Sequence, residues 1–167
     1  HASNAIPEDY AQLGLQEHEL ERHVAWDMGA AEVTRHLADI LGCPAILSGF
    51  SRLLIDPNRG LDDPTLIMKL SDGSIIPGNL DVDRHNNMSA WQERVDKFYM
   101  PYHLAIASTL ENLINDGQVP IILSVHSFTP NFRGVKRPWN AAVLWDKDER
   151  LAKHLFGSLS KSEKLIG

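Results

Sequence analysis

Cysteine is nearly absent from this chain of 167 residues, since Cys43 is the only one. A single cysteine excludes an internal disulfide framework and any zinc site built from several cysteines. Cys43 lies between Gly42 and Pro44 at a predicted helix-to-strand junction, where we interpret it as a small buried hydrophobic residue rather than a nucleophile. The low cysteine content favours a reduced, cytoplasmic setting.

Long apolar runs and an excess of positive charge are also missing. No stretch approaches the ~18 apolar residues of a membrane span, and no charged-then-apolar leader is visible. The formal net charge of -6 argues against binding to nucleic acid or to acidic membranes. The length lies within the ~100–200 residues typical of one domain, so 1–167 is predicted to be a single domain.

The hydrophobic pattern alternates between the helical and the strand period. Apolar residues at three- and four-residue spacing predict helices over 17–41, 89–115 (kinked or split at Pro101) and 147–159. Short apolar runs predict strands over 45–48, 52–56, 119–126 and 140–144. Helices alternating with strands predict an α/β protein, a three-layer α/β/α sandwich with a mostly parallel or mixed sheet.

The stretch 57–87 is long, polar and interrupted by proline and glycine. A loop of this length inside a compact domain is typical of a functional or lid-like segment. We therefore expect it to influence the choice of substrate.

His126 is the first candidate for a site residue, because it ends the predicted strand 119–126 directly after the apolar run 121–125. The end of a buried strand is where α/β proteins place ligands, and imidazole is a common zinc ligand. The same histidine could instead be structural, bonded to a neighbouring backbone carbonyl, and both interpretations stay open. His1 is a weaker candidate alone, since a terminal histidine is often solvated.

His23 and Asp27 stand one turn apart on the predicted first helix. They could form an ordinary pair on the helix surface, which contributes a few tenths of a kcal/mol. Trp26 and Met28 flank Asp27 and indicate partial burial, which leaves a carboxylate directed at a metal as the alternative. Among the other histidines, His103 is predicted to be a hydrogen-bonded core residue. The solvated ones are predicted to be His18, His36, His85 and His154.

Arg52 and Arg59 bracket the predicted strand 52–56. One could bind a substrate carboxylate through its planar fork of donors, and the other could polarise a carbonyl during acyl transfer. The alternative is two local ion pairs with neighbouring carboxylates, namely Asp56, Asp62 or Asp63. The chain contains no glycine-rich phosphate loop, no Gly-x-Ser-x-Gly elbow and no His-Glu-x-x-His pair.

Several motifs in order resemble the N-formylglutamate amidohydrolase family, zinc-dependent amide hydrolases that share the phosphorylase/hydrolase-like fold of zinc carboxypeptidases. The resemblance spans nearly the whole chain. Its motifs are His1-Ala2-Ser3-Asn4 with Pro7, the run from Arg22 to Ala30, Ser51-Arg52 with Asp56-Pro57-Asn58-Arg59, Ile76-Pro77-Gly78-Asn79, Pro101-Tyr102-His103, the run from Ser124 to Pro130, and Arg137-Pro138-Trp139.

The resemblance implies roles for individual residues. His1 and His126 match the family's histidine motifs and would bind Zn²⁺. The carboxypeptidase relatives have a glutamate three residues after the first histidine, but Asn4 stands there, so Asp27 is our choice for the third ligand. The substrate's carboxylate would be held by Asn58, Arg59 and Ser127, and Arg52 would polarise the carbonyl.

The implied activity is hydrolysis of an N-formyl or other N-acyl amino acid, such as N-formylglutamate. The alternatives are a carboxypeptidase-like deacylase with another substrate and a metal- or ligand-binding module without activity. Relatives also have a strand before the first histidine and a segment after the equivalent of Gly167. By analogy with the carboxypeptidases, we expect that later segment to supply an acidic general base.

Overall fold

The computed structural model describes residues 1–132 and 134–162, and helices provide most of its regular structure. The α-helices are α1 (Glu17–Leu20), α2 (Ala30–Leu41), α3 (Met88–Arg94), α4 (Met100–Asn115) and α5 (Arg150–Leu159). Shorter helical segments are the 3₁₀ turns Glu8–Gly14 and Pro77–Asn79 and the π turn Val95–Tyr99. The strands form two antiparallel pairs, β1 (Leu70–Ser71) with β2 (Ser74–Ile75) and β3 (Asn131–Phe132) with β4 (Val135–Lys136).

The predicted helix over 17–41 is wrong in its middle, where turns separate α1 from α2. Gly29 has a φ of 79°, a left-handed conformation that glycine adopts without strain and that stops a helix from running through. His23 and Asp27 therefore do not share a helical face. His23 is exposed and lies 3.4 Å from the Asp72 carboxylate, which makes it a surface residue.

The predicted helix over 89–115 is confirmed as a continuous helical run, although its irregularity lies before Pro101. Proline lacks the N–H that an α-helix needs. The preceding turn widens, and the Met100 N–H donates to the Val95 carbonyl. Helix α5 lies inside the predicted range 147–159 and confirms that prediction.

The predicted strands are the main error. The segments 45–48, 119–126 and 140–144 lack regular secondary structure and have no ladder partner within 1–132 and 134–162. Their apolar patterns favour a strand, but a strand forms only where a second segment supplies hydrogen bonds. The described chain is thus a mixed helix and strand structure with two-stranded sheets.

The predicted strand 52–56 is also wrong, because a turn begins it. The Leu54 N–H donates to the Ser51 carbonyl at 3.0 Å, and the Ser51 hydroxyl accepts the Leu53 N–H at 3.2 Å. A serine that bonds its own backbone two residues on is typical of turns. This turn brings Arg52 and Asp56 to the same side, where they form an ion pair.

The stretch 57–87 is not one long loop without secondary structure, which corrects the sequence prediction; its influence on the substrate stays a prediction. It contains β1, β2 and the turn Pro77–Asn79, and several of its apolar side chains are buried in the core. These are Leu66, Ile67, Met68, Ile76 and Val82.

The chain divides into two compact units, 1–128 and 129–167. The first unit contains a hydrophobic core whose centre is the run Leu53, Leu54 and Ile55, each at most 1% exposed. The second unit contains the β3–β4 hairpin and α5, with Ala152 as its buried core residue.

Two predictions about single features have clear outcomes. Cys43 is exposed, so its interpretation as a buried hydrophobic residue is wrong. The chain leaves α2 at Gly42 in a left-handed conformation, which carries the next residue to the surface.

Across the residues that are described, no helix has the length and apolar character needed to cross a membrane.

Candidate metal centre

The first five residues are held against two interior segments. The Asp27 N–H donates to the His1 carbonyl at 2.9 Å, and the Ala2 N–H donates to the Ser48 hydroxyl at 3.1 Å. The Ser51 N–H donates to the Ala5 carbonyl at 2.8 Å. These backbone bonds fix the position of the first residue, so His1 is not a solvated terminal histidine.

Three of the predicted site residues meet at one point. His1 Nδ1 lies 3.2 Å from Asp27 Oδ2, and His126 Nδ1 lies 2.6 Å from the same oxygen. One ligand atom from each residue lies within 4.8 Å of the other two. The sequence separation of Asp27 and His126 is 99 residues, so this proximity comes from the fold and not from local spacing.

Asp56 is a site residue that sequence reasoning missed, since we considered it only as a local ion-pair partner. Its side chain is buried, and Oδ1 accepts hydrogen bonds from His1 Nε2 at 2.6 Å and from the Asn58 N–H at 2.9 Å. Oδ2 accepts from Arg52 at 2.9 Å. The available signal was its position directly after the buried run 53–55, which resembles that of His126 after its own apolar run.

The two carboxylates beside His1 favour its charged form. Burial alone would lower the pKa of His1, but the hydrogen bonds to Asp27 and Asp56 outweigh it and raise the pKa above its ordinary value. Burial likewise opposes the ionised forms of both aspartates. Their bonds to histidine, together with Arg52 at Asp56, nevertheless lower the pKa of each carboxyl group.

Arg52 lies at the edge of the three-residue cluster. Its guanidinium forms an ion pair with Asp56 at 2.9 Å and approaches Asp27 Oδ1 at 3.9 Å. Its side chain is partly exposed, while both carboxylates are buried. Arg52 is therefore a cation at the solvent side of the cluster, fixed by the same aspartates that contact the histidines.

The residues of the predicted carboxylate clamp lie at the surface. Asn58 and Arg59 are exposed, and Arg59 forms ion pairs with Asp56 at 3.8 Å and with Asp63 at 3.4 Å. These contacts are local ion pairs with neighbouring carboxylates, which the sequence predicts as the alternative to binding a substrate carboxylate. Ser127 is exposed beside His126.

The backbone that carries the clamp is held by the long helical run. Tyr99 donates from its hydroxyl to the Arg59 carbonyl at 2.9 Å, and His103 Nε2 donates to the Pro57 carbonyl at 3.1 Å. His103 is half-buried and bonded, as predicted for a structural histidine. The histidines that were predicted to be solvated are exposed, namely His18, His36, His85 and His154.

Asn4 does not belong to the metal cluster. Its side-chain amide donates to the Leu20 carbonyl at 3.0 Å and fixes the end of α1. The carboxylate that contacts both histidines is that of Asp27, which comes from a different part of the chain.

The donor set of the cluster fits a zinc ion. Two imidazoles and one carboxylate are the ligand types and number that catalytic zinc sites use, with a fourth position for water. Tetrahedral Zn²⁺ with bonds of ~2.0–2.2 Å separates its ligand atoms by roughly 3.3 Å. The His1–Asp27 distance of 3.2 Å already matches that separation, whereas the His126–Asp27 distance of 2.6 Å is a hydrogen bond that a metal would replace.

A groove of about 560 Å³ adjoins the cluster. His1, Asn58 and His126 are among its lining residues, and the segments 42–48 and 118–125 and side chains of α2 and α4 also line it. The groove gives the cluster access to a molecule from outside.

Comparison with known proteins agrees with the motifs. The chain matches the N-formylglutamate amidohydrolase family over residues 1–165. It is similar to a gene product of Agrobacterium tumefaciens whose crystal structure aligns with a TM-score of 0.91 and 32% sequence identity. That alignment covers 99% of this chain and 64% of the other, so this chain spans less than two thirds of that protein. There is no significant match among curated proteins.

Proposed function

Since the chain belongs to the N-formylglutamate amidohydrolase family, we propose that it hydrolyses N-formylglutamate or a related N-acyl amino acid to the free amino acid. The family supports a hydrolase that acts on the amide bond of a small molecule. The observation that carries the proposal is the convergence of His1, Asp27 and His126 beside a fixed arginine. A purely structural set of histidines would not need two buried carboxylates and a cation at one point.

The metal in this proposal is Zn²⁺, held by His1, Asp27 and His126. When bound, it supplies Lewis acidity for the activation of water and the polarisation of a carbonyl. Asp56 accepts the Nε2 proton of His1, which leaves Nδ1 free to bind the metal. A carboxylate behind a histidine ligand fixes its tautomer and raises its basicity.

Arg52 is proposed to stabilise negative charge on the carbonyl oxygen during hydrolysis. Its ion pair with Asp56 holds the guanidinium in place before substrate arrives. Donors that are fixed in advance stabilise a developing charge without reorganisation, which is the largest catalytic contribution in many acyl-transfer enzymes.

Asn58, Arg59 and Ser127 are proposed to bind the carboxylates of the amino acid. Arg59 is 43% exposed, and its contacts with Asp56 and Asp63 are long. The guanidinium can therefore turn to a substrate carboxylate at little energetic cost. A formyl group offers little surface to bind, so the carboxylates must supply most of the binding energy.

The sequence also supports proposals on the fold, the type of substrate and the cellular setting. We infer a three-layer α/β/α fold of the phosphorylase/hydrolase-like type for the whole protein, as the resemblance of the motifs implies. The substrate is a small molecule rather than a nucleic acid or a membrane, and the setting is cytoplasmic. A deacylase for a different N-acyl amino acid is the closest alternative, because apolar side chains such as Ile106, Leu110 and Ile122 line part of the groove beside the cluster.

Metal analysis combined with formate release tests the proposal. We expect about one zinc ion per chain and formate production from N-formylglutamate, both lost in Asp27→Asn. The control is Asp72→Asn, an exposed aspartate outside the cluster, which should retain both. Zinc bound without turnover on any N-acyl amino acid would support a binding module instead, and absence of zinc would reject the metal site.

A further inference from the structure

Arg94 is a buried cation that donates its hydrogen bonds to neutral oxygens. It is the last residue of α3 and is 4% exposed. Its guanidinium donates to the Leu54 carbonyl at 3.0 Å, to the Asn79 side-chain oxygen at 2.6 Å and to the Gly78 carbonyl at 2.9 Å. Among 1–132 and 134–162, no Asp or Glu forms an ion pair with it. Glu93 attracts the guanidinium at longer range and raises its pKa, but burial is the larger effect and lowers that pKa.

Asn79 extends the same network. Its side chain is 0% exposed, and its amide donates to the Leu53 carbonyl and to the Met68 carbonyl, both at 2.8 Å. Arg94 and Asn79 together therefore bind two consecutive carbonyls, those of Leu53 and Leu54.

These two carbonyls lie between two residues of the candidate metal centre. Arg52 precedes them by one residue, and Asp56 follows by two. The Asp56 N–H is also fixed, since it donates to the Leu66 carbonyl at 2.8 Å. The backbone of the segment 52–56 is thus held by hydrogen bonds, while its Asp56 side chain contacts His1.

We propose that Arg94 is a positioning residue for the metal centre, which acts by holding the backbone of 53–54 so that Asp56 meets His1 and Arg52. This inference rests on the proposed function of that centre. A buried charge without an ionic partner is expensive, and apolar residues of similar size usually stabilise a core as well or better. An arginine at this position is explained if the orientation of its three acceptors matters more than stability. These acceptors are the oxygens of Leu54, Gly78 and Asn79.

Lysine cannot take over this role. The guanidinium is a rigid planar fork that donates to oxygens in different directions, whereas an ammonium is a point charge at the end of a flexible stem. Arg94→Lys keeps the charge and removes the geometry, which makes it the informative substitution. The matched control is Arg150→Lys, an arginine that is exposed and bonded to Asp148.

The test follows the His1–Asp56 hydrogen bond directly. In the metal-free protein, the Nε2 proton of His1 should give a downfield NMR signal that disappears in His1→Gln. We expect Arg94→Lys to shift or remove this signal and to weaken Zn²⁺ binding ten- to a hundred-fold, the usual effect of losing a partner behind a metal ligand. In an active protein kcat should fall with KM unchanged. Arg150→Lys should change none of these.

A double-mutant cycle between Arg94 and Asp56 distinguishes a positioning role of Arg94 from general destabilisation. In an Asp56→Asn background, Arg94→Lys should have no further effect on zinc affinity, because the group through which it acts is gone. Additive losses would overturn the proposal, and so would a folded Arg94→Lys protein with an unchanged His1 signal. If Arg94→Lys does not fold, Asn79→Asp keeps the acceptor for Arg94, removes the donors to 53 and 68, and should change the His1 signal in the same way.

The same experiment distinguishes this inference from the proposed function. The NMR signal of the metal-free protein needs neither zinc nor substrate. A parent protein that binds no zinc would reject the proposed function. Loss of the His1 signal in Arg94→Lys would still support positioning by Arg94.

Discussion

Asp56 joins three parts of the candidate centre: a histidine, the arginine and the backbone beside the predicted clamp. It accepts hydrogen bonds from His1, Arg52 and the Asn58 backbone, all within 3.0 Å. Hydrogen bonds to charged groups contribute ~1.5–3 kcal/mol each when buried. We therefore expect Asp56→Asn to lower the free energy of unfolding by about 1.5–3 kcal/mol in urea titrations with a chelator present.

The control for this measurement is Asp72→Asn. Asp72 pairs with Arg22 and His23 on the surface, and its positive φ of 45° is a conformation that asparagine tolerates. Exposed ion pairs contribute ~0–1 kcal/mol, so this variant should be close to the parent. Equal losses in both variants would show that burial of Asp56 adds nothing.

Arg59→Lys tests the carboxylate clamp. Lysine keeps the charge but cannot donate two parallel hydrogen bonds to one carboxylate. Loss of one charged hydrogen bond of ~1.5–3 kcal/mol should reduce kcat/KM for an N-acyl amino acid roughly ten- to a hundred-fold. Arg22→Lys, at an exposed pair away from the centre, should leave kcat/KM unchanged. Unchanged kinetics in Arg59→Lys would remove Arg59 from the clamp.

The pKa shifts predict how the stability of the metal-free protein depends on pH. The lowered pKa values of Asp27 and Asp56 give stability that is complete above about pH 4, the unfolded value, and is lost as the pH falls further. The raised pKa of His1 gives stability that is complete below about pH 6.5 and is lost as the pH rises through the folded value. Thermal unfolding should therefore show a maximum between about pH 4 and 6.5, and His1→Gln should flatten its alkaline side. A parent and a His1→Gln protein with the same alkaline slope would contradict the assignment.

The sequence identified the three residues that meet in the cluster and missed the two residues that support them. His1, Asp27 and His126 were named from residue type and motif, and the fold brings them together. Asp56 was missed because its role depends on contacts 55 residues apart in sequence with His1. Arg94 gave no signal at all, since an arginine in an amphipathic helix is normally solvated.

At the scale of elements, helices were predictable and strands were not. The helical run 88–115 satisfies its hydrogen bonds within itself, so local spacing was sufficient. The segment 119–126 has the apolar pattern of a strand, yet Val119 is 85% exposed and Ile121 is 71% exposed. The pattern contains no information about the partner that a strand requires.

Gly29 shows how one element boundary supports the centre. Its left-handed conformation separates α2 from the segment that carries Asp27, and no atom would meet an added Cβ within 4 Å. Gly29→Ala should therefore cost about 1–2 kcal/mol from backbone strain alone, as measured by urea unfolding. Gly49→Ala has equal space without a positive φ, so it should be neutral or slightly stabilising. A neutral Gly29→Ala would show that the segment relaxes at this position.

At the scale of the whole molecule, the charge balance of the centre predicts a response to zinc. The hydrogen bonds to both aspartates raise the pKa of His1 and so favour its protonated form, and zinc competes with a proton for Nδ1. Binding to the folded state alone raises stability by RT ln(1 + [L]/Kd), about 2.7 kcal/mol at a hundredfold excess over Kd. Zinc should thus raise Tm most above the pH at which His1 loses its proton, where the metal-free protein is weakest.

His126→Asn and His154→Gln separate a specific response from a general one. His126 lies 2.6 Å from Asp27, whereas His154 is exposed on α5. We expect the zinc-dependent rise in Tm to disappear in His126→Asn and to persist in His154→Gln, in scans at pH 6 and pH 8. Because protons and metal compete for the same nitrogen of His1, the rise should be larger at pH 8. A rise that is equal at both values of pH, or that survives in His126→Asn, would mean that zinc stabilises the protein at some other place.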